Sequence, residues 1–402
     1  MPNCKSPYEP REDSTLLERY VREYAKGSVL DIGTGSGIQA ITAAHIDKVK
    51  SVLATDIQKS TIDFCKENKK NRKIKFIVSD LFKKLKHKKF DTIIFNPPYL
   101  PNELKIKDLT LEGGKKGYEV IERFLNEVNK FLKDDGIVLI VFSSLTKKEK
   151  VDEFVKNNLL EFKELSKKHI FFEDLYVYLI KKSTILKTLE KNKIKNIKYF
   201  SKGKRGFIFV GKYNNKNIAI KIKNPESNAI LRIDNEIKFL KLLNKKNIGP
   251  KLLFHDKEFL VYEFIEGKSI LELLDRTMEK ISINKSNREN KKILLKLIKK
   301  LMDQLFIMDK LNINKEEMSH PQKHIIIDKK DNPILIDFER MHYTIKPSNV
   351  TQFSDFLISN NILTTLKKNN ININKKHLIT AAKTYKKQQN KNNFNKILKL
   401  IK

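Results

Sequence analysis

The sequence has no tryptophan, only two cysteines and no apolar run long enough to cross a bilayer. Cys4 and Cys65 exclude a disulfide scaffold or a cysteine-based metal cluster, and they fit a reducing compartment. Apolar runs such as Ile137 to Phe142 have the length of a strand, well below the roughly 20 residues of a membrane helix. The first residues are polar and contain no apolar signal region, so we expect a soluble, cytoplasmic protein.

Acidic residues are also in short supply. The 402 residues include 82 Lys and Arg but 48 Asp and Glu, for a formal net charge of +34. Residues 1–182 hold 35 basic and 27 acidic residues, whereas residues 183–402 hold 47 and 21. Such a surplus fits association with RNA or a ribosome. The surplus also fits a general enrichment in lysine along the chain. We favour this second explanation, because the sequence has no arginine-rich or aromatic-interleaved stripe.

Two domains are expected, because the chain exceeds the length of one ordinary core. Up to about residue 142, strand and helix patterns alternate, which is typical of a doubly wound, Rossmann-like α/β sheet. A helix over 15–26 is expected to begin at a cap formed by Asp13 and Ser14. The later elements are expected as strands over 28–32, 51–56, 75–78, 91–95 and 136–142, helices over 38–45, 59–68 and 118–132, and a hairpin of 161–167 with 175–181.

The pattern changes at residue 183, so we assign one domain to residues 1–182 and a second to residues 183–402. The second is expected to be an α+β domain that starts with strands and becomes mainly helical after residue 268. Its expected elements are β-strands over 207–223, a helix over 230–243, strands within 251–264, a strand pair at 325–328 and 334–337, and loops over 282–292 and 367–376.

A glycine turn marks a cofactor site in the first domain. Gly33, Gly35 and Gly37 follow the first strand and open a helix, and glycine lets the backbone approach a ligand closely. Aspartates stand at three successive strand ends, where ligands bind in such sheets. The loop lacks the dinucleotide fingerprint, and a sulfonium cofactor carries no phosphate, which favours S-adenosylmethionine over NAD. The predicted cofactor-binding set is Asp31, Gly33, Gly35, Gly37, Asp56, Asp80 and Asn96.

The tetrad Asn96-Pro97-Pro98-Tyr99 ends the fourth strand and predicts a site for the methyl acceptor. Each residue before a proline is held extended, and each proline lacks a backbone donor. The Asn96 side-chain oxygen and the Pro97 carbonyl can therefore each accept a hydrogen from one NH2 group, which orients its nitrogen for attack. Tyr99 can cover the planar group. Asn96, Pro97 and Tyr99 are the predicted catalytic residues, but glutamine amide, adenine N6 and lysine remain open as acceptors.

Four separate blocks within residues 5–182 resemble the HemK group of protein-glutamine N5-methyltransferases, in its short eukaryotic and archaeal branch. This resemblance implies methylation of the Gly-Gly-Gln glutamine of a class 1 peptide-chain release factor, with a small zinc-binding activator subunit as partner. Methylation of adenine N6 in DNA or RNA, with the basic second half as the binding surface, is the alternative. The blocks are Tyr8-Glu9-Pro10-x-Glu12-Asp13-Ser14, Asp31-Ile-Gly33-Thr-Gly35-Ser-Gly37, Asn96-Pro97-Pro98-Tyr99 and Gly113-Gly114-x-x-Gly117-x-Glu119-Val-Ile-x-Arg123-Phe-Leu.

The second domain resembles the protein kinases over roughly residues 190–360, and it is similar to the archaeal putative Ser/Thr kinase group. The resemblance implies a glycine-rich hairpin over ATP phosphates, a lysine paired with a helix glutamate, a hinge, and an aspartate that binds Mg²⁺. The positions that match these parts are Gly203, Gly206, Lys221, Glu236, Glu263 and, for the metal, Asp337.

The catalytic loop of the second domain departs from the kinase pattern. The kinase spacing places Ser319 where the catalytic aspartate stands and His324 where the metal-binding asparagine stands. Serine cannot accept a proton as a carboxylate does, and histidine is a poor ligand for Mg²⁺. We therefore expect ATP binding more than phosphoryl transfer from this domain.

Overall fold

The computed structural model describes residues 9–86, 88–100, 113–202, 206–223, 232–272 and 287–402. The chain divides into two compact units, Met1–Tyr199 and Phe200–Lys402. Within the described ranges, no helix is long and apolar enough to cross a membrane. The predictions made for Tyr8, Gly203 and the loop over 282–286 lie outside the described residues.

The first unit is built on a seven-stranded sheet of order β3-β2-β1-β4-β5-β7-β6. Strands β1 to β5 run parallel to one another, and β7 pairs antiparallel with both β5 and β6. The predicted parallel sheet and closing hairpin are therefore present. The strands are β1 (Gly27–Ile32), β2 (Val49–Asp56), β3 (Ile74–Val78), β4 (Phe90–Phe95), β5 (Leu132–Ser143), β6 (Leu160–Ile170) and β7 (Glu173–Lys182).

Helices cover this sheet and bury their apolar stripes against it. Leu17 and Val21 of the first helix are fully buried in one core with Val29 of β1 and Leu139 of β5. This packing brings the start of the first helix to the sheet edge where the parallel strands end. The helices are α1 (Glu12–Tyr24), α2 (Ile38–Ala44), α3 (Lys59–Asn68), α4 (Glu119–Val128), α5 (Lys148–Asn157) and α6 (Thr184–Lys191).

Two boundary predictions in the first unit are wrong. Helix α1 begins at Glu12 and not at Thr15, and Asp13 and Ser14 lie inside its first turn, because their side chains bond elsewhere than to the helix end. The helix predicted to reach Leu132 ends at Val128. The Phe131 carbonyl accepts a hydrogen bond of 2.8 Å from the amide of Phe90, which draws Leu132 into strand β5.

A five-stranded sheet of order β11-β12-β10-β9-β8 comes next, and the boundary between the two units falls within its strand β8, after Tyr199. Helix α7 (Arg232–Asn244) packs on this sheet, and Ile237 and Leu240 are buried there with Leu260 of β12. Smaller pairings, β13-β15-β16 and β14-β17, follow. The strands are β8 (Lys195–Lys202), β9 (Gly206–Tyr213), β10 (Lys216–Lys223), β11 (Leu252–His255), β12 (Phe259–Glu263), β13 (Gly267–Ser269), β14 (Ile313–Asn314), β15 (Ile325–Asp328), β16 (Pro333–Leu335) and β17 (His342–Tyr343).

Helices form the rest of the second unit, as expected from its pattern. The loop predicted over 282–292 is wrong from Asn287 onward, because a helix of 24 residues begins there and buries an apolar stripe that starts near Leu294. Between residues 367 and 376, the described backbone leaves its helix at Lys368 and enters the next at Lys375. The helices are α8 (Asn287–Lys310), α9 (Asn349–Leu357), α10 (Asn360–Lys368), α11 (Lys375–Lys387) and α12 (Lys391–Lys399).

Candidate active site

The glycine turn between β1 and α2 is held in a conformation that favours glycine. Gly33 and Gly37 have φ values of 64° and 79°, in the left-handed region. A Cβ at Gly37 would lie 3.3 Å from the sulfur of Cys65, so helix α3 also limits that position. The Thr34 amide donates a 2.8 Å hydrogen bond to the Thr55 carbonyl at the end of β2. The turn is therefore fixed against the neighbouring strand.

Asp31 lies buried beneath this turn. One carboxylate oxygen accepts a hydrogen bond of 2.6 Å from the Thr34 hydroxyl. Burial raises the pKa of Asp31 to about 7, and nearby Asp56 adds to the rise while the Thr34 bond opposes it. The carboxyl group therefore supports the turn from below and does not itself line the cavity described next.

A cavity of about 400 Å³ opens at the carboxyl ends of β1 to β4. It contains most of the residues predicted from sequence to bind the cofactor or the acceptor, whereas Asp31 and Gly37 lie outside its lining. Ile57, an isoleucine that is 61% exposed, also faces it and offers apolar surface to a base. The predicted residues that line the cavity are Gly33, Gly35, Asp56, Asp80, Asn96, Pro97 and Tyr99.

Asp56 ends β2 at the cavity wall. Its two oxygens accept hydrogen bonds from the Gly35 amide at 3.1 Å and from the Gln58 amide at 2.9 Å. Burial raises the pKa of Asp56, although these two hydrogen bonds act to lower it. A ligand that donates two hydroxyl hydrogens, such as a ribose, would match a carboxylate held in this way.

Asp80 follows β3 and has partners that the sequence did not reveal. Arg123 of α4 donates to both of its oxygens at 2.9 Å, and the Lys83 ammonium lies 2.7 Å away. Burial would raise the pKa of Asp80, but Lys83 and Arg123 outweigh it and hold this pKa below its usual range. Arg123 also lines the cavity, so α4 contributes a cation to the wall.

Asn96 is held by two residues of α1. Its amide nitrogen donates to an Asp13 carboxylate oxygen at 3.1 Å and to the Ser14 hydroxyl at 3.2 Å. The Tyr99 hydroxyl donates to the same Asp13 oxygen at 3.4 Å. The side-chain oxygen of Asn96 is buried and accepts no hydrogen bond from any described residue. It is an acceptor left over for a group that enters the cavity.

The chemistry of Asp13 determines which way the Asn96 amide points. An ionised carboxylate only accepts hydrogen bonds, so it must face the NH2 side of the amide and turn the oxygen away from α1. Asp13 and Ser14 are 4% and 2% exposed, which protects this contact from competing water. Sequence reasoning assigned both residues to a helix cap. Their presence in the first of the four resemblance blocks was the available signal for a role in the site.

The second unit gathers charged residues around Lys221 of β10. The Lys221 ammonium lies 2.7 Å from Glu236 of α7, 3.2 Å from Asp337 and 2.7 Å from Glu339. Burial works to lower the pKa of Lys221, but the three carboxylates outweigh it and raise that pKa well above its ordinary value. Three of the positions predicted from sequence therefore meet, and Glu339 is the member that sequence reasoning missed.

The same three carboxylates could also hold a cation. Oxygen atoms of Glu236, Asp337 and Glu339 lie within 4.8 Å of one another, and hard divalent ions prefer carboxylate oxygens. Lys315, fully buried, donates to the backbone carbonyl of Asp337 and to a Glu317 oxygen at 3.1 Å. This second buried cation was also missed from the sequence.

The remaining predicted residues of the second unit take different places. Gly206 begins β9 opposite Lys223, and Glu263 ends β12. The Nδ1 atom of His324 lies 3.9 Å from an Asp337 oxygen, and burial, followed by the charge of Lys315, lowers the pKa of this histidine. The Ser319 hydroxyl lies 3.1 Å from the ring of His320. Neither His324 nor Ser319 supplies the carboxylate or amide oxygen of a kinase loop.

Comparison with known proteins identifies the class of the first unit. Residues 11–172 match the model of the methyltransferase small domain family. With the strand order and the cavity at the strand ends, this match defines a class I, S-adenosylmethionine-dependent methyltransferase. The cofactor fits the cavity through the glycine turn, the Asp56 carboxylate and the apolar surface of Ile57.

The relatives narrow this class. A Methanocaldococcus jannaschii protein, named as a candidate protein N5-glutamine methyltransferase, is 36% identical over 177 residues, which are 42% of this chain and 89% of that protein. The chain belongs to the same family, the protein N5-glutamine methyltransferases.

Other matches are shorter or weaker. The Streptococcus pneumoniae release factor glutamine methyltransferase is 33% identical over 125 residues, 28% of this chain and 44% of that enzyme. The chain thus spans less than half of this bacterial relative. A solved structure of the E. cuniculi Mtq2-Trm112 complex, described as responsible for methylating the termination factor eRF1, is 24% identical, covers 44% of this chain and 99% of that chain, and has a TM-score of 0.37.

Proposed function

We propose that the first unit transfers a methyl group from S-adenosylmethionine to the Gly-Gly-Gln glutamine of a class 1 peptide-chain release factor. One observation carries the proposal: the Asn96 oxygen is a buried acceptor without a partner among the described residues, in a residue that lines the cofactor cavity. A primary amide can fill this acceptor with one of its two hydrogens. The names of the bacterial relatives support glutamine as the substrate class.

In this mechanism the protein chiefly orients the acceptor nitrogen, and one of the two amide hydrogens leaves as a proton to solvent once the methyl group has been transferred. The Asn96 oxygen and the Pro97 carbonyl accept the two hydrogens of the NH2 group, and Tyr99 covers its planar face. The bound cofactor supplies an electrophilic methyl group. Two fixed acceptors aim the nitrogen lone pair along one direction, so the rate gain comes from positioning. The small zinc-binding activator subunit that the resemblance implies remains part of the proposal.

The test uses the full chain, a purified release factor and a radiolabelled methyl donor, with mass spectrometry to locate the methyl group. We expect one methyl on the Gly-Gly-Gln glutamine and none after this residue is changed to alanine. Label that survives the change would overturn the substrate assignment. Transfer to an adenine-containing oligonucleotide, with the release factor unlabelled, would replace it with the nucleic-acid alternative.

The second unit is proposed to be a kinase-like domain that binds ATP with Mg²⁺. The contact of the Lys221 ammonium with Glu236 and Asp337 supports it, because a lysine, a helix glutamate and a metal-binding aspartate converge in this way at kinase ATP sites. The position of Gly206 and Glu263 at strand ends of the same sheet adds to this support.

Calorimetric titration of ATP into the full chain, with and without Mg²⁺, tests the second proposal. We expect binding that requires Mg²⁺ and is lost in Lys221→Ala. ATP affinity that is equal in this variant and in the wild type would contradict a nucleotide site at Lys221. The methyltransferase assay is run in parallel, so that failure of one site is distinguished from failure of the other.

A further inference from the structure

The last 47 residues of the second unit contain no acidic residue. From Phe356 to Lys402 the sequence has 11 lysines, no arginine and no aspartate or glutamate. Residues 183–355 carry 36 basic and 21 acidic residues, although residues 191–225 among them also hold 11 basic residues and no acidic one. What distinguishes the last 47 residues is therefore where the fold places their lysines.

All of these lysines are exposed, and five of them share one side of α11. Lys375, Lys376, Lys383, Lys386 and Lys387 are exposed, whereas the buried residues of this helix are Leu378, Ala382 and Tyr385. Since successive residues of an α-helix turn by roughly 100°, the five lysines fall within an arc of roughly 120°. We call these five residues the lysine face. The arc borders the buried side of α11 at Lys375 and extends from there toward solvent.

The charges of this face are not cancelled by close partners. Among the described residues, the only ion pair formed by the eleven lysines joins Lys391, which is outside the lysine face, to Asp303 at 3.8 Å. Asp355 lies near Lys386. Burial raises the pKa of Asp355, and the positive charge of Lys386 opposes this rise. One neighbouring carboxylate leaves most of the positive charge facing solvent.

The residues of α11 favour RNA over a membrane surface as the polyanionic partner. A helix that lies on a membrane needs an apolar side to insert, but the apolar side of α11 is already buried in the core of its own unit. Ile379 falls within the arc of the lysine face, but it is partly buried and packs against the core. The residues at the solvent side of the face, Thr380, Thr384 and His377, are polar and exposed. An evenly charged ribose-phosphate backbone matches a row of lysines without requiring apolar contact or specific geometry.

We infer that the lysine face of α11 is a docking surface for RNA, which it binds through the phosphate backbone and without base specificity. This inference does not depend on the activity of either proposed site. It gives a role to five of the 26 surplus positive charges of residues 183–402. It also predicts that binding weakens steeply as salt is raised, because counterions are released on binding.

Fluorescence anisotropy of the full chain with a labelled, mixed-sequence single-stranded RNA tests the inference. In wild type we expect binding at 50 mM salt that falls strongly by 200 mM, in the range typical of phosphate contacts. Changing all five lysines of the face to glutamine should weaken binding at least about tenfold and reduce the slope of log K against log salt by roughly 3. The five-fold Lys→Arg variant should retain both, since it retains the charge.

A matched control changes five exposed lysines of the first unit, Lys48, Lys50, Lys66, Lys70 and Lys89, to glutamine. This control removes the same total charge from a different surface. If the lysine face itself binds the RNA, the control should leave RNA affinity within about twofold of wild type. Equal weakening in both variants would overturn the inference in favour of net charge. Binding to anionic vesicles or to polyglutamate as tight as binding to RNA would overturn the choice of partner.

Discussion

The site at Asn96 and the site at Lys221 differ in whether their buried polar groups still have hydrogen-bonding capacity for a ligand. At Asn96, the Asp13 carboxylate and the Ser14 hydroxyl accept the amide hydrogens and leave the amide oxygen without a partner among the described residues. At Lys221, three carboxylates surround one ammonium, so its hydrogen-bonding capacity is already used. The first site is prepared for a ligand that donates hydrogens. The second carries a surplus of negative charge, so a polyphosphate must arrive with cations or displace a carboxylate.

The largest expected effect is on methyl transfer, when the buried acceptor oxygen of Asn96 is removed. Asn96→Ala should reduce methyl transfer by roughly 1000-fold, because fixed polar contacts at the reacting group contribute about that much. The dissociation constant for S-adenosylmethionine should change by less than about threefold, as other residues line most of the cavity. Single-turnover rates and calorimetry measure the two quantities.

The matched control is Asn126→Ala, which removes an exposed asparagine whose side-chain oxygen accepts a 3.1 Å hydrogen bond from the Asn158 amide. Both quantities should stay at their wild-type values. Loss of cofactor binding in Asn96→Ala, with Asn126→Ala intact, would contradict the separation of cofactor and acceptor roles.

The next effect measures how strongly the second site depends on its cation. Lys221→Met should lower the free energy of unfolding of the second unit by about 3–5 kcal/mol, because it leaves buried carboxylates uncompensated. Lys329→Met, which breaks an exposed pair with Glu266, should leave the free energy of unfolding close to its wild-type value, because solvent screens such pairs. Denaturant titration followed by circular dichroism gives both values.

Adding Glu339→Gln to Lys221→Met should restore part of the lost stability, since it removes one of the uncompensated charges. A double variant that is less stable than the single one would show that Glu339 is not held there by Lys221.

A third prediction concerns pH and the buried acid of the first unit. The pKa of Asp31 is about 7 in the folded protein against 3.8 ordinarily, so the folded state binds a proton that the unfolded state has released between these values. Stability should therefore fall as pH rises from about 4 to 7, by an amount on the order of 3 kcal/mol.

Asp31→Asn should remove this part of the pH dependence, whereas Asp47→Asn, at an exposed aspartate, should retain it. Thermal unfolding of the three proteins between pH 5 and 8 is the measurement. Parallel pH curves for wild type and Asp31→Asn would show that Asp31 keeps an ordinary pKa.

The smallest effect tests how the acceptor is oriented. Asp13→Asn allows the Asn96 amide to turn either way, so methyl transfer should fall by about 10–100-fold through misplacement. Cofactor affinity should not change. The neighbouring variant Glu12→Gln, at a half-exposed side chain, should keep the wild-type rate. An unchanged rate in Asp13→Asn would assign the orientation of Asn96 to Ser14 alone.

Local patterns predicted most of the fold and much of the candidate site. Alternating strand and helix patterns and the glycine turn depend on residues that are close in sequence, and these predictions match the order of elements around the first sheet. The tetrad at Asn96 stands at the end of its strand for the same reason. Where backbone pairing between distant segments decides, as at Phe131 and Phe90, the predicted helix end was wrong.

The contacts that give each site its character join residues far apart in the chain. Asp13 meets Asn96 across 83 positions, and Lys221 meets Glu339 through a long-range ion pair. A single sequence with no folded geometry does not reveal such pairs. Asp13 in particular satisfies every local rule for a helix cap, and only packing of α1 against the sheet turns it toward Asn96 instead.

A crystal structure of the protein with S-adenosylhomocysteine and a Gly-Gly-Gln peptide tests the central claim most directly. The account predicts that the glutamine side-chain nitrogen lies within about 2.7–3.2 Å of the Asn96 side-chain oxygen, with Asp13 still bound to the Asn96 nitrogen. A bound peptide whose glutamine nitrogen contacts neither the Asn96 oxygen nor the Pro97 carbonyl would contradict it.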